Sequence, residues 1–381
     1  MTTKSFAGIL ALLTAALTTV HATELSPGTG FFFTGTAGLK YDSNIFLTNT
    51  NTKSSGILEI IPGVELDMGS GSMTKNVFVF SEDFVSYLDA SGQNTNLANA
   101  QYDVAYSDDK LRFNLDAGFH QQSQNNRDTH LTGHILQTDI TNITPTLELE
   151  ISPKSAVSVG VDYQNYRYDV AGYADRSSVS LPLNAYFEVA PKVQASVGYR
   201  YRNNSVDAPG LDSTDNYFSV GARGDFDPML KGSFSVGYNQ RNIKAGTVNG
   251  VYHASHTESG IGADAKLDYL YSDKSTVQFT VRNDFSNAAT GDNQKVFEGG
   301  VGLASAMSSD LTADASLFIG NYKYVDTSRR DDYYRLGAGV TYSYSTHVKC
   351  SATYSYQDNS SNISNLSFSE SVFGVSVAVR Y

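Results

Sequence analysis

Beyond residue 22 the chain holds six histidines: His120, His130, His134, His253, His256 and His347. His130 and His134 stand four apart and His253 and His256 three apart, spacings that hold a metal when a helix puts both rings on one face. Both pairs fall in or beside polar links between strand-like segments, so they read as solvated loop histidines and no metal site is expected. No Gly-x-Ser-x-Gly stretch exists to present a nucleophilic serine. Gly69-Ser70-Gly71-Ser72-Met73-Thr74-Lys75 has the residue types of a phosphate loop. It lacks the glycine before the lysine and no helix follows, so it reads as a hairpin turn. No catalytic residue and no cofactor are expected. The single cysteine, Cys350, excludes an internal disulfide and reads as a small lipid-facing or lumen residue.

The residues left to do chemistry are charges that share the polar face of alternating segments. Arg112, Asp116, Arg200, Arg202, Arg223, Asp225, Asp264, Lys266, Arg282, Asp284, Asp314 and Arg335 are the candidates for the lining of a passage. Arg200, Arg202 and Arg223 fall on adjacent segments and predict a basic ladder facing acids opposite, an arrangement that sets up a transverse field in a pore. The competing role is structural: charges of both signs pair across neighbouring strands and hold a wall in shape. Tyr186, Tyr322 and Tyr333 share the inward phase and offer rings for stacking, or simply form wall.

These side chains need elements that alternate. Val193, Ala195, Val197, Tyr199 and Tyr201 alternate with Gln194, Ser196, Gly198, Arg200 and Arg202. Leu111, Phe113, Leu115, Ala117 and Phe119 do the same with Arg112, Asn114, Asp116, Gly118 and His120. Successive side chains of a strand point to opposite faces, so each segment has one apolar and one polar face. Short turns rich in Ser, Asp, Pro, Lys and Gly join the segments in pairs, near residues 69–72, 107–109, 152–154, 191–192, 227–228, 272–274, 308–310 and 345–346. Longer polar links, such as Ser43–Ser55, Ser123–Gly133, Asn203–Thr214, Lys244–Ala254 and Asn359–Ser367, separate the pairs. Short turns at one rim and longer loops at the other predict an all-β fold: a transmembrane antiparallel up-and-down barrel of about 18 strands, with 16 as the alternative. The segments at 73–87 and 134–151 alternate poorly.

The two ends bear addresses. Residues 1–22 read as a cleaved signal peptide, with Lys4 ahead of an apolar run and Val20-His21-Ala22 as the cleavage pattern, which leaves residues 23–381 as the barrel. At the other end Phe373, Val375, Val377, Val379 and Tyr381 alternate with small or polar residues. An apolar face ending on a terminal aromatic resembles the strand signal read by the barrel assembly machinery, with Tyr in place of the usual Phe. The formal net charge is −12, and loss of residues 1–22 removes one lysine and no acid, which argues against nucleic-acid partners. Charged residues make up 17% of the chain, against 20 Phe and 25 Tyr, which suits an apolar outside and a polar inside. The expected location is the outer membrane of a Gram-negative bacterium, among its lipid and lipopolysaccharide. Residues 23–30 are too few for a plug, and the longest link, near Ser43–Ser55, can narrow the lumen but hardly seal it. The passage is therefore expected to be open, or gated by a partner.

One stretch is more specific. Gly38-Leu39-Lys40-Tyr41-Asp42-Ser43-Asn44-Ile45-Phe46 closes the first segment and Ile60-Ile61-Pro62-Gly63-Val64-Glu65-Leu66 forms the second. The pair resembles the putative β-barrel porin 2 family. The resemblance implies an outer-membrane conduit for exopolysaccharide export, working with a periplasmic polysaccharide-export protein and carrying a polysaccharide cargo. The alternative is a general or sugar-selective diffusion porin for small solutes.

Overall fold

The computed structural model describes residues 23–26, 28–129, 134–248, 250–325 and 327–381. The leader assigned to residues 1–22, and His130, lie outside the described residues. Eighteen long strands follow in chain order: β1 (Thr29–Asp42), β2 (Ser55–Met68), β3 (Thr74–Tyr87), β4 (Thr95–Ser107), β5 (Leu111–Ser123), β6 (Gln137–Ser152), β7 (two runs, Ser155–Gly160 and Asp162–Tyr168), β8 (Arg176–Ala190), β9 (Val193–Val206), β10 (Ser213–Asp227), β11 (Leu230–Ile243), β12 (His256–Ser272), β13 (Ser275–Asn287), β14 (Asn293–Ala306), β15 (Leu311–Tyr324), β16 (Arg330–Ser343), β17 (Val348–Ser361) and β18 (Phe368–Arg380). Each pairs antiparallel with its neighbours, and β18 returns to β1 from Thr34↔Arg380 to Asp42↔Val372, which closes the barrel. A short strand, Thr23–Ser26, folds back on the start of β1, and a small hairpin, Gly246–Val248 with Val251–His253, stands in the link before β12.

All eight short turns fall where the residue types placed them. At six of them a side-chain oxygen at the turn's first corner accepts from backbone N–H groups of the reversal. Asp108 accepts from Lys110 and Leu111 at 2.8 and 2.7 Å. Ser308 accepts from Asp310 and Leu311, and Ser345 from His347 and Val348. Asp108 is fully solvated there, and its carboxyl is held below the usual range by the Tyr106 hydroxyl first, then by those two backbone donors.

Two breaks in the ladder were not expected. β7 is interrupted at Val161, and the β2–β3 ladder skips from Ile60↔Phe84 to Gly63↔Ser81. Pro145 on β6 and Pro182 on β8 flank the first gap and Pro62 sits in the second, and a proline has no N–H to give a ladder. β6 also begins three residues later than its expected start at 134. His134, Ile135 and Leu136 belong to the preceding loop, where their backbone groups bond the side chains of Asn125 and Gln93.

The outer face is apolar, as the alternation requires. Val197, Phe218, Val220, Phe234, Val236, Ile261, Leu317 and Ile319 are all exposed on the outside of the barrel. Tyr271, Tyr342 and Tyr344 are exposed at the turn rim, the position of an aromatic girdle. Cys350 lies directly opposite Tyr342, which puts it on this outer face. Among the described residues no helix is long and apolar enough to cross a membrane.

Candidate functional site

A side-chain contact between strands four places apart can only run through the interior, so such contacts map the lumen. At the loop end, Arg200 and Arg202 on β9 reach Asp284 on β13 at 2.9 and 3.1 Å. Arg202 also binds Asp215 on β10 at 2.6 Å, and Asp215 binds Arg241 on β11 at 2.6 Å. Arg241 and Asp215 are fully buried. A buried guanidinium is tolerated only when its donors are filled, and it has five N–H groups. All three guanidinium nitrogens of Arg241 are engaged: Nε and Nη2 donate to Asp215, and Nη1 is shared among the Ser286 carbonyl, Asn287 Oδ1 and Asn293 Oδ1.

These contacts exist because one part of the wall leaves its place. β12 and β13 pair only as far as Ala263↔Asn283, although β12 continues to His256 and β13 to Asn287. From Asp284 onward the β13–β14 hairpin bends into the lumen. Its carbonyls meet arginines of the facing wall: Arg202 donates to the Phe285 oxygen at 2.8 Å, Arg241 to Ser286 at 2.7 Å, and Arg176 to Asn287. Its tip, residues 288–292, meets the loops of that wall. The Ala174 N–H donates to the Ala289 carbonyl at 2.8 Å, and both alanines are buried. Gly291 has φ 88°, and a Cβ on Gly210 would stand 3.0 Å from the Gly291 Cα. Two backbones that close admit only glycine at the contact.

A second segment also enters the lumen. The loop after β5 sends Arg127 across to the opposite wall, where it donates to the Tyr324 hydroxyl at 3.0 Å and Asp331 at 3.3 Å and lies 3.5 Å over the Tyr322 ring. Burial works against its charge, but Asp128, Tyr324, Tyr322 and Asp331 outweigh this and raise its pKa above the ordinary value. Leu136 of the same loop packs with Tyr173 and Ala289. Several segments therefore meet across the loop end of the lumen. They are the β13–β14 hairpin and the loops after β5, β7 and β9, which touch one another or the facing wall. What brings them together is the direction the segments take.

The other charges named from the sequence distribute as follows. Arg282 stands 3.9 Å from Asp284 and 3.7 Å from Glu298, with Asp264 opposite it on β12. Toward the turn end, Arg112 and Arg223 share Glu148 at 3.2 and 2.7 Å, and Arg223 lies 3.4 Å over the Tyr186 ring. Asp116 accepts from Gln101 and Asn142. Asp225 pairs with Lys192 at the turn rim, Asp314 lies against Gly339, and Arg335 stands over Phe318. Lys266 sits between Ser233 and Thr280 on the neighbouring strands. Arg200 and Arg202 therefore share a site, while Arg223 belongs to a separate cross-tie, so the three do not make one ladder. Tyr333 donates to Gln357 at 2.6 Å. Sequence reasoning missed Arg176, Asp215 and Arg241, although Arg241 has the parity of the polar face once Val236 and Tyr238 are taken as outward.

Inside the wall formed by β7 to β13 lies a cavity of 410 Å³ lined by Arg200, Arg202, Tyr217, Asn239, Asp284, Arg282, Asp162 and Asp264 among others. Arg200 Nε, the Tyr217 hydroxyl and Asn239 Oδ1 are buried there without a hydrogen-bond partner among the described residues. Gly262 gives the Tyr217 ring its room, since a Cβ would stand 2.4 Å from it. Among the described residues no group of three or more His, Cys, Asp or Glu could hold a metal.

A family model described as putative beta-barrel porin 2 matches residues 175–381. No curated protein matches the chain. Among solved structures, Pseudomonas aeruginosa OccK2 (OpdF) in complex with glucuronate is 8% identical with a TM-score of 0.49, over 93% of this chain and 98% of that one. The outer membrane protein opdK from Pseudomonas aeruginosa is 9% identical with a TM-score of 0.48, over 92% and 99%. The ferric citrate transporter FecA is 12% identical with a TM-score of 0.45, over 86% of this chain, which spans 60% of its length. At these identities the likeness is one of barrel architecture alone.

Proposed function

Since this chain belongs to the putative beta-barrel porin 2 family, we propose that it is an outer-membrane conduit that exports an exopolysaccharide, working with a periplasmic polysaccharide-export partner. The observation that supports the reading best is the inward β13–β14 hairpin, docked on the facing wall at the loop end. A pore for free diffusion of small solutes needs a lumen that stands open, whereas here a wall segment folds in and docks on a prepared surface. A conduit for a long polar chain has to stay shut between cargoes, because an 18-stranded barrel is wide enough to leak solutes when unfilled. The polar, ion-paired interior suits a hydrated cargo, and the outward apolar band suits residence in a bilayer.

The test is deletion of the gene, with sugar analysis of the secreted matrix and of the periplasm. Loss of matrix sugar with an unchanged outer membrane, restored by the wild-type gene, is the expected result. An unchanged matrix overturns the export reading and turns attention to small-solute uptake by the reconstituted barrel.

A further inference from the structure

Four arginines of one wall, Arg176 on β8, Arg200 and Arg202 on β9 and Arg241 on β11, each donate to a single segment, although Arg202 and Arg241 also bind Asp215 within the wall. That segment offers only oxygen: the Asp284 carboxylate and the Phe285, Ser286 and Asn287 carbonyls. A row of guanidiniums filled by a carboxylate and polar oxygens is the chemistry that recognises an acidic sugar. We infer that these arginines form a binding wall for an anionic glycan, and that the inward β13–β14 hairpin is a built-in occupant which the cargo displaces. The inference rests on the conduit reading and names the class of its cargo.

Three observations support it. First, the hairpin has another place to go. Continuing the register of Ala263↔Asn283 sets Ile261 opposite Phe285 and Ser259 opposite Asn287, and these β12 positions have no ladder partner on that side. Among the described residues the seam is bridged by side chains: Asn283 to the Ile261 carbonyl at 2.8 Å, Lys295 to the Ser259 carbonyl at 3.5 Å, and Lys295 to Glu258 at 2.6 Å. Zipping the hairpin onto β12 would exchange arginine–carbonyl bonds for ladder bonds and complete the wall. Second, departure of the hairpin removes Asp284 from the wall. The four arginines then face Asp215 and the cavity's Asp162, which leaves a net positive surface. Third, the cavity beside the latch already holds unfilled polar groups on Arg200, Tyr217 and Asn239. The hairpin therefore does not saturate the wall it occupies.

The experiment uses the purified full barrel in planar bilayers of neutral lipid. Oligogalacturonate, with a carboxylate on every ring, and a maltooligosaccharide of equal length, with none, are added in turn. Oligogalacturonate is expected to raise the open probability at least tenfold, at a half-effective concentration that rises with salt, while the neutral sugar leaves it unchanged. Equal response to the two sugars, or no response to either, overturns the inference. The chain contains no tryptophan, so Phe285→Trp supplies a single reporter. Oligogalacturonate should shift its emission to the red as the buried ring leaves the wall, and an unmoved spectrum also counts against displacement. Arg176→Gln with Arg200→Gln should raise the half-effective concentration at least tenfold. If the deletion strain secretes its matrix normally while the bilayer response stands, the export reading fails and the anionic wall survives it.

Discussion

Asp284 is the point at which the inward hairpin is fastened, and replacing it by alanine should release the hairpin. Its carboxylate accepts five side-chain hydrogen bonds, two from Arg200, two from Arg202 and one from Asn239, at 2.6 to 3.2 Å. Breaking a buried ion pair by removing one partner costs about 3–5 kcal/mol, chiefly because the other charge is stranded. Arg202 keeps Asp215 and the Phe285 carbonyl, so the lower end applies, ~3 kcal/mol, and the hairpin loses that much of its preference for the inward position. At about 1.4 kcal/mol per tenfold, the ratio of closed to open barrel falls by roughly two orders of magnitude. Single-channel recording at fixed voltage measures this directly. The Asp284 side chain is only 7% exposed, so the effect should survive at high salt, where an exposed ion pair would be screened. An open probability within threefold of wild type, in a barrel that still shows the folded band on an unheated gel, would refute the reasoning.

Three further outcomes are expected. Asp215→Asn should lower the temperature at which the folded band is lost, by an amount equivalent to ~3 kcal/mol, without opening the channel. The reason is that Asp215 ties Arg202 to Arg241 within one wall and does not hold the hairpin. Arg127→Met should free the loop after β5, because Asp331 keeps Arg329 at 2.7 Å while the loop loses its stack on Tyr322; faster proteinase K cleavage within 124–136 checks this, and an unchanged rate argues against the tether. Arg223→Leu, made together with Asp284→Ala, should shift the reversal potential of the open channel toward cations, since Glu148 would keep only the well-exposed Arg112 as partner.

Most of the barrel is legible in the sequence because its rules are local. Period-2 alternation and the Ser and Asp corners of the turns fix strands and reversals within a few residues of chain, and all eight turns fall where they were placed. The prolines carry the same kind of information. Pro62, Pro145 and Pro182 mark the ladder breaks, and their missing N–H groups announce them. The site divides differently. Parity puts Arg200, Arg202, Arg282 and Asp284 on the polar face, and the same rule extended by a few residues reaches Asp215 and Arg241. What local pattern cannot give is the partner. Asp284 meets Arg202 rather than its neighbours because the β13–β14 hairpin turns inward, and that turn depends on a Gly210–Gly291 approach between loops 81 positions apart. The Arg127 tether spans 204 positions to Asp331. A loop's length says how far it can reach, and its direction is set by packing that exists only once the wall is formed.

The central claim is that the hairpin's docking closes the loop end. It is tested most directly by a reversible lock between Ala174 and Ala289, which share a backbone hydrogen bond of 2.8 Å. Both would be made cysteine in a barrel that also carries Cys350→Ser and Asp284→Ala. Bilayer current should be absent while the lock is oxidised and appear on reduction. Current that is the same before and after reduction would contradict the account.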